Sequence, residues 1–181
     1  MLSVNFKWLC ILISVFFLSA CNEDLIPSDK DERLSVEEGS IGNQVGQIAA
    51  DFTAQDSLEN EIVLSDELAS NDAVVIYFTM WCPLCDSHMT SMRQNVKPQF
   101  PSVRFLMVDY VTGSIAQSRA GQLSNGYASE TIISDIGRPL FEQFDGNMAV
   151  TIVIDSSGEI VMNESYKQSK LLSVLNLALQ P

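Results

Sequence analysis

The chain has 181 residues, enough for one domain of ordinary size with a complete hydrophobic core. It carries 10 lysines and arginines against 23 aspartates and glutamates, which gives a formal net charge of −13. Because the backbone of nucleic acids is also negative, this charge disfavours nucleic-acid binding. The acidic surface instead favours solubility and partners with basic surfaces.

The first 21 residues have the pattern of a bacterial export signal. Lys7 supplies the one positive charge. Leu9 to Leu18 form an apolar run that is shorter than a typical transmembrane helix. The run ends in Leu18-Ser19-Ala20-Cys21, which matches the lipobox of bacterial lipoproteins. We therefore predict a lipoprotein signal peptide over residues 1–20 and lipidation of Cys21. The alternatives are an uncleaved signal anchor or a signal peptide cut elsewhere.

Residues 21–44 are acidic, polar and rich in turn formers, so we predict a lipid-anchored flexible tether that precedes a domain over residues 45–181. Asn22, rather than aspartate, follows the lipidated cysteine, which by the enteric sorting pattern favours the outer membrane. The predicted location is the bacterial cell envelope, with the domain facing the periplasm.

The predicted domain begins with short extended segments and a central strand. Val45–Thr53 opens the domain, and Glu61–Leu68 has the pattern of a short strand followed by a turn of helix. The apolar, β-branched run Ala73–Thr79 is typical of a buried strand. A helix is predicted over Cys82–Asn95, and it should end near Lys97-Pro98 because the residue before a proline disfavours helix.

The second half of the domain alternates apolar and amphipathic segments. The next strand is expected to run parallel to the central one, and two later apolar runs joined by Ser156-Ser157-Gly158 predict a hairpin. The predicted elements are a strand at Val103–Tyr110, a helix at Gly113–Leu123, a short strand at Thr131–Asp135, a helical turn at Pro139–Phe144, hairpin strands at Val150–Asp155 and Glu159–Met162, and an amphipathic helix over 168–179.

Of the four cysteines, only Cys82 and Cys85 belong to the predicted domain, since Cys10 and Cys21 lie in the export segment. Two cysteines three residues apart on the first turn of a helix face the same side. With Cys82 as the N-cap and Pro83 as the first helical residue, the free amides and the helix dipole favour the thiolate form of Cys82. The pair could form a disulfide, share a metal ion or stay reduced.

The motif Phe78-x-x-Trp81-Cys82-Pro83-x-Cys85 resembles the active-site turn of thioredoxin-fold proteins, and most closely that of the membrane-tethered TlpA/redoxin (AhpC/TSA-like) group. The opening Val45–Thr53 also resembles that of redoxins, with Ala50 where proline is usual. The resemblance covers roughly residues 45–180. It implies an α/β thioredoxin-like fold: a central mixed sheet flanked by helices, with the N-terminal extension and the βα insertion of this branch at Gly113–Thr131.

The resemblance implies thiol–disulfide exchange, which needs one accessible thiolate and a second thiol to resolve the mixed disulfide. Cys82 is the predicted nucleophile and Cys85 the resolving thiol, so a redox-active Cys82–Cys85 disulfide is expected. Trp81, Pro83 and Leu84 surround the pair. The sequence holds no haem-attachment motif, P-loop or dinucleotide-binding fingerprint, so no organic cofactor is expected. No metal site is predicted either.

His88, the only histidine, lies three residues after Cys85 and should share its helix face. In several members of this branch a glutamate at the matching position manages protons on the cysteines, and His88 could do so nearer neutral pH. It could equally be a solvated surface residue. Ile76 occupies the strand position that carries a buried aspartate in ordinary thioredoxin, so that role must lie elsewhere or be absent.

The loop expected to face the cysteines departs from the family pattern. Counting back from Asp155 places Ala149, preceded by Met148, where the family has a cis-proline. Because a cis bond before a non-proline residue costs about 2.5–4 kcal/mol, we expect a trans bond there. In thioredoxins that proline also keeps metal ions away from the cysteines, so its absence raises the chance of metal binding.

Two other functions remain open at this point. A Cu(I) chaperone could use the two cysteines with His88 or Met148, since soft sulfur ligands suit Cu(I), although such chaperones have a CxxxC motif and a distant histidine that this chain lacks. A peroxiredoxin-like antioxidant protein is the other, because Thr79-x-x-Cys82 matches part of the motif Pro-x-x-x-Thr-x-x-Cys. Val75, however, stands where that proline would be.

The favoured function is an envelope thiol–disulfide oxidoreductase, acting as a dedicated reductant. Its expected partners are protein thiol or disulfide substrates and an envelope electron donor, with the membrane reached through the lipid anchor and no nucleic acid. We expect the protein to be a monomer.

Overall fold

The computed structural model describes residues 36–179. The predicted signal peptide, the lipidation site Cys21 and most of the predicted tether lie outside the described residues. Within the described part of the chain, no helix is both long and apolar enough to cross a membrane.

The elements of the domain follow the predicted order, after four short strands. They are β1 (Ile41–Gly42), β2 (Ile48–Ala49), β3 (Thr53–Gln55), β4 (Glu61–Val63), α1 (Leu64–Ser70), β5 (Ala73–Thr79), α2 (Pro83–Ser91), β6 (Val103–Asp109), α3 (Ile115–Ser124), β7 (Thr131–Ser134), α4 (Pro139–Phe144), β8 (Val150–Asp155), β9 (Ile160–Ser165) and α5 (Gln168–Ala178).

The centre of the domain is a mixed five-stranded sheet in the order β7-β6-β5-β8-β9. β5, β6 and β7 run parallel, as predicted for the first two, and β8 and β9 form the predicted antiparallel hairpin at the other side of β5. This arrangement confirms the α/β thioredoxin-like fold with a central mixed sheet.

All seven side chains of β5 are buried, and those of residues 73 to 78 alternate between two hydrophobic clusters. Val75 and Tyr77 belong to the cluster that includes residues of α2 and α5. Ile76 and Phe78 belong to the cluster on the other face, with residues of α1 and α4. The alternation follows from strand geometry, and it puts Tyr77, not Ile76, on the face that carries the active-site helix.

The active-site helix has the predicted start and end, with a change of geometry between them. Its α-helical part is followed by a π-helical turn at Met92–Val96 and a 3-10 turn at Lys97–Gln99. Pro98 in that last turn cannot donate a backbone hydrogen bond, which accounts for the end of the helix at the predicted place.

Residues 36–44, assigned above to the tether, are part of the folded structure. β1 pairs with β2, and the backbone N–H of Ile48 donates to the carbonyl of Ser40 over 2.8 Å. The N–H of Gly46 donates to the carbonyl of Ile160 in β9 over 2.9 Å. The folded domain therefore begins before residue 45, because backbone groups of this polar segment bond with β2 and, at the Asn43 carbonyl, with the side-chain amide of Asn163 in β9.

Gly146, in the loop before β8, is a position that sequence reasoning missed. A Cβ added there would overlap the ring of Phe78, which is fully buried in β5. The glycine therefore allows the loop that leads to Met148 and Ala149 to approach the end of the central strand.

We predict that Gly146→Ala lowers the free energy of unfolding by about 1–3 kcal/mol, because the ring of Phe78 must shift within a packed core. Urea unfolding followed by circular dichroism measures this change. Gly113→Ala is the matched control: its Cβ would meet only the Gln117 side chain, at 3.5 Å, and the change should stay within about 0.5 kcal/mol. Equal losses in the two variants would contradict the packing argument.

Candidate active site

The turn between β5 and α2 brings the two cysteines to the end of the sheet. Trp81 has a φ of 58°, a left-handed conformation that is uncommon outside glycine, and its N–H donates to the hydroxyl of Thr79 over 3.2 Å. Cys82 is the N-cap of α2 and Pro83 the first helical residue, as predicted. The strained turn therefore delivers Cys82 to the helix N-terminus.

The Trp81 ring is held by a buried carboxylate on the neighbouring strand. Its Nε1 donates to Oδ2 of Asp109 over 2.9 Å, and Asp109 is fully buried at the end of β6. The same carboxylate accepts from the Thr112 hydroxyl over 2.7 Å and from the backbone N–H groups of Val111 and Thr112. Gly121 in α3 lets that helix lie close to the ring, since a Cβ there would be 3.1 Å from it. Asp109 thus fastens the active-site turn to β6.

The two thiols lie in contact but differ in access. The Sγ atoms of Cys82 and Cys85 are 2.7 Å apart, and the Cys82 sulfur accepts the backbone N–H of Cys85 over 3.2 Å. Cys82 is half-buried, whereas Cys85 has no exposed surface. Of the two cysteines, only Cys82 has exposed surface.

The pKa values of the two thiols are shifted in opposite directions. Burial and the hydrogen bond with Cys85 raise the pKa of Cys82, contrary to the prediction that the helix N-terminus favours its thiolate form. Burial also raises the pKa of Cys85, but hydrogen bonds from Cys82, from the backbone of Met80 and Cys82 and from the Thr79 hydroxyl outweigh it, so the net pKa of Cys85 is lowered. The pair therefore loses its first proton more easily than an isolated thiol does, and its second proton less easily.

The facing loop places Met148 and Ala149 at the pair. Met148 Sδ lies 3.5 Å from Cys82 Sγ. Ala149 has a φ of 67°; its N–H donates to the carbonyl of Phe78 over 3.0 Å and its carbonyl accepts from the N–H of Tyr166 over 2.8 Å. Its peptide bond is trans, as expected, since residues 36–179 contain no cis bond.

An apolar rim surrounds the half-buried thiol. Met80, Leu84 and Met148 are 41%, 48% and 41% exposed, respectively, although all three are hydrophobic. Single exposed apolar residues are common on protein surfaces, but three that flank a reactive thiol offer a contact surface for the segment around a substrate disulfide.

His88 is turned toward the sheet rather than into solvent. Its Nδ1 lies 3.1 Å from the hydroxyl oxygen of Tyr77, and its ring stacks on Tyr166 with 4.6 Å between centroids. Burial lowers the pKa of His88 below its ordinary value. No direct hydrogen bond joins His88 to either cysteine in the described structure, so the phenol of Tyr77, which sequence reasoning missed, is its polar neighbour.

We predict that Trp81→Phe removes the bond to Asp109 and lowers the free energy of unfolding by about 1.5–3 kcal/mol. Loosening the turn should also weaken the hydrogen bond that the backbone N–H of Cys85 donates to the Cys82 sulfur. Alkylation of Cys82 at neutral pH should then slow about threefold, which corresponds to about half a pKa unit. Unfolding in urea and the rate of reaction with iodoacetamide measure the two effects.

Thr112→Val is the control, because it removes another donor to Asp109 without touching the turn. It should lower stability but leave the alkylation rate of Cys82 unchanged. An unchanged alkylation rate in Trp81→Phe would show that the bond to Asp109 does not set the geometry of the thiol.

Comparison with known proteins agrees with this geometry. The AhpC/TSA family matches residues 45–163, about two thirds of the chain. A comparison with curated protein sequences finds no match.

Three solved structures have the same fold. A candidate protein disulfide isomerase from Bacteroides thetaiotaomicron is 20% identical, with a TM-score of 0.65 over 75% of this chain and 90% of that one. A candidate thiol:disulfide interchange protein DsbE from Chlorobium tepidum is 16% identical, with a TM-score of 0.65 over 76% and 99%. The peroxidoxin BcpB from Mycobacterium tuberculosis is 19% identical, with a TM-score of 0.60 over 76% and 98%.

At these identities the neighbours establish the fold, whereas the family match covers most of the domain and includes both cysteines of the site. The chain belongs to the AhpC/TSA family of thioredoxin-fold redox proteins.

Proposed function

We propose that this protein is a thiol–disulfide oxidoreductase of the bacterial envelope that reduces disulfides in other proteins. The observation that carries the proposal is the half-buried Cys82 sulfur at a helix N-terminus, 2.7 Å from the fully buried sulfur of Cys85. One reachable thiol backed by one unreachable thiol is the arrangement that exchange through a mixed disulfide requires.

The reaction proceeds in two displacements. The Cys82 thiolate attacks one sulfur of the substrate disulfide; a bond forms between them, the substrate S–S bond breaks, and the other substrate sulfur leaves as a thiolate. The Cys85 thiolate then attacks Cys82 Sγ, forms the Cys82–Cys85 disulfide and releases the second substrate thiolate. Two electrons pass from the cysteine pair to the substrate, so an envelope electron donor must reduce the pair again.

The location of the protein belongs to the same proposal. We infer that residues 1–20 direct export and that lipidated Cys21 anchors the domain, with the outer membrane favoured by Asn22. The likeness to a candidate DsbE and to a secreted disulfide oxidoreductase homologous to DsbE, from Mycobacterium tuberculosis, supports an envelope setting. In that oxidising compartment a dedicated reductant would keep a specific client reduced.

Peroxide reduction receives less support from the site. The hydroxyl of Thr79 accepts the N–H of Trp81 and lies near the resolving Cys85, which does not favour a role for it in binding peroxide at Cys82. Val75, where the peroxiredoxin motif has proline, lies in the middle of β5 between two paired strands. A proline there would remove a hydrogen bond of the ladder.

We predict that Cys85→Ser accumulates a mixed disulfide with a disulfide-bonded test protein such as insulin, because the resolving thiol is absent. Cys82→Ser should accumulate none, since Cys85 has no exposed surface. Non-reducing electrophoresis and mass spectrometry measure the adduct. Equal trapping by both variants would overturn the assignment of roles.

We further predict a reduction potential of about −250 mV or lower for the Cys82–Cys85 pair, the range of reductants, and not about −120 mV, the range of oxidants. Equilibration in thiol–disulfide buffers followed by alkylation of free thiols measures it. A pair that forms no reversible disulfide, or a chain that consumes peroxide faster than it reduces insulin, would contradict the proposed function.

A further inference from the structure

Cys85 faces a chemical difficulty in the second displacement. It must lose its proton to attack the mixed disulfide, yet it has no exposed surface through which water could accept that proton. In the free dithiol its pKa is lowered in part by a hydrogen bond with Cys82. Once the Cys82 sulfur is bonded to substrate it has no S–H to donate, so Cys85 loses that support at the step that needs it.

Besides the Thr79 hydroxyl, one further protic side chain of β5 lies near Cys85. Tyr77 is fully buried in β5 on the face that packs against α2, and its hydroxyl lies near the Cys85 side chain. Burial, and then the proximity of Cys85, raises the pKa of Tyr77 well above its ordinary value. The phenol therefore keeps its proton at all physiological pH values and can transfer a proton only by accepting one as it donates another.

The second partner of the same hydroxyl is His88, whose Nδ1 lies 3.1 Å from Tyr77 Oη. Because Tyr77 has a single proton, it donates to one neighbour and accepts from the other. His88 is half-buried, so its ring connects the buried phenol with the solvent side of α2. Tyr77 thus lies between the buried Cys85 thiol and His88, which reaches the surface.

We propose, on the basis of the function proposed above, that Tyr77 and His88 form a proton relay for Cys85. The Cys85 thiol gives its proton to Tyr77 Oη while Tyr77 gives its own to Nδ1 of His88. The products are a Cys85 thiolate that accepts from the Tyr77 hydroxyl and an imidazolium that donates to it. Tyr77 contacts the reacting sulfur, and His88 is a positioning residue that acts through it.

Few other titratable side chains lie near Tyr77 and His88. The other titratable side chains that face it are Cys82 from the turn and Tyr166, which follows β9. The Tyr166 hydroxyl is bonded to Ser91 over 2.8 Å and so is directed away from the path. Burial alone shifts the pKa of His88, and no charged side chain contributes.

The test is a single-turnover reaction of the reduced protein with a chromogenic aryl disulfide. The first coloured thiolate is released when Cys82 attacks the reagent, and the second when Cys85 resolves the mixed disulfide. Cys85→Ser identifies the phases, because it should release only the first thiolate. Tyr77→Phe should leave the first release unchanged and slow the second by about 10- to 100-fold.

Two further variants separate the relay from packing. Tyr166→Phe is the matched control, because it removes the hydroxyl of the neighbouring tyrosine, and it should change neither release. His88→Asn can still accept the Tyr77 hydroxyl but cannot store a proton, so its second release should be slow. It also keeps the proposal testable if Tyr77→Phe does not fold.

The pH dependence of the second release tests whether His88 accepts the proton. His88 accepts a proton only when neutral, so the wild-type rate of the second release should fall as the pH drops through the pKa of His88, which lies below 6.5. His88→Asn should show only the pH dependence of the thiol. The relay is overturned if Tyr77→Phe leaves the second release unchanged, slows both releases equally, or matches Tyr166→Phe. A wild type that releases both thiolates but fails to reduce insulin would overturn the proposed function, not the relay.

Discussion

The burial of β5 on both faces determines the geometry of the whole site. All seven of its side chains are buried between two hydrophobic clusters, and both of its edges are paired, with β6 and β8. A shift of one residue would move each cluster to the wrong face, so the register of the strand is strongly specified. The turn that follows therefore starts from a well-defined point, and the position of Cys82 follows from it.

A second consequence of this burial is that charged groups near the cysteines must be stabilised by hydrogen bonds. Asp109 is fully buried, and its carboxylate accepts from the Trp81 indole, the Thr112 hydroxyl and two backbone N–H groups. Buried charges are tolerated when their acceptor sites are filled in this way. The same reasoning explains why donors converge on the buried sulfur of Cys85.

The sequence predicted well what depends on local pattern. The apolar run of β5, the N-cap at Cys82, the hairpin of β8 and β9 and the trans bond at Ala149 all follow from strand periodicity, capping and the cost of a cis bond. Contacts between segments distant in sequence were not predictable. Nothing local indicates that Asp109 bonds Trp81, that only glycine fits at position 146 beside the ring of Phe78, or that residues before 45 pair with β2.

His88 illustrates the same limit most clearly. Its spacing from Cys85 predicted that both lie on one helix face, but the polar group between the helix and the sheet is Tyr77, 11 residues earlier in the chain. With Ile76 directed to the opposite cluster, no carboxylate of β5 can serve the buried thiol. The protic side chain is that of Tyr77, one residue after Ile76, and it therefore lies on the face of the sheet beneath α2. Strand alternation thus places Tyr77 on the side of the sheet where the proposed relay needs it.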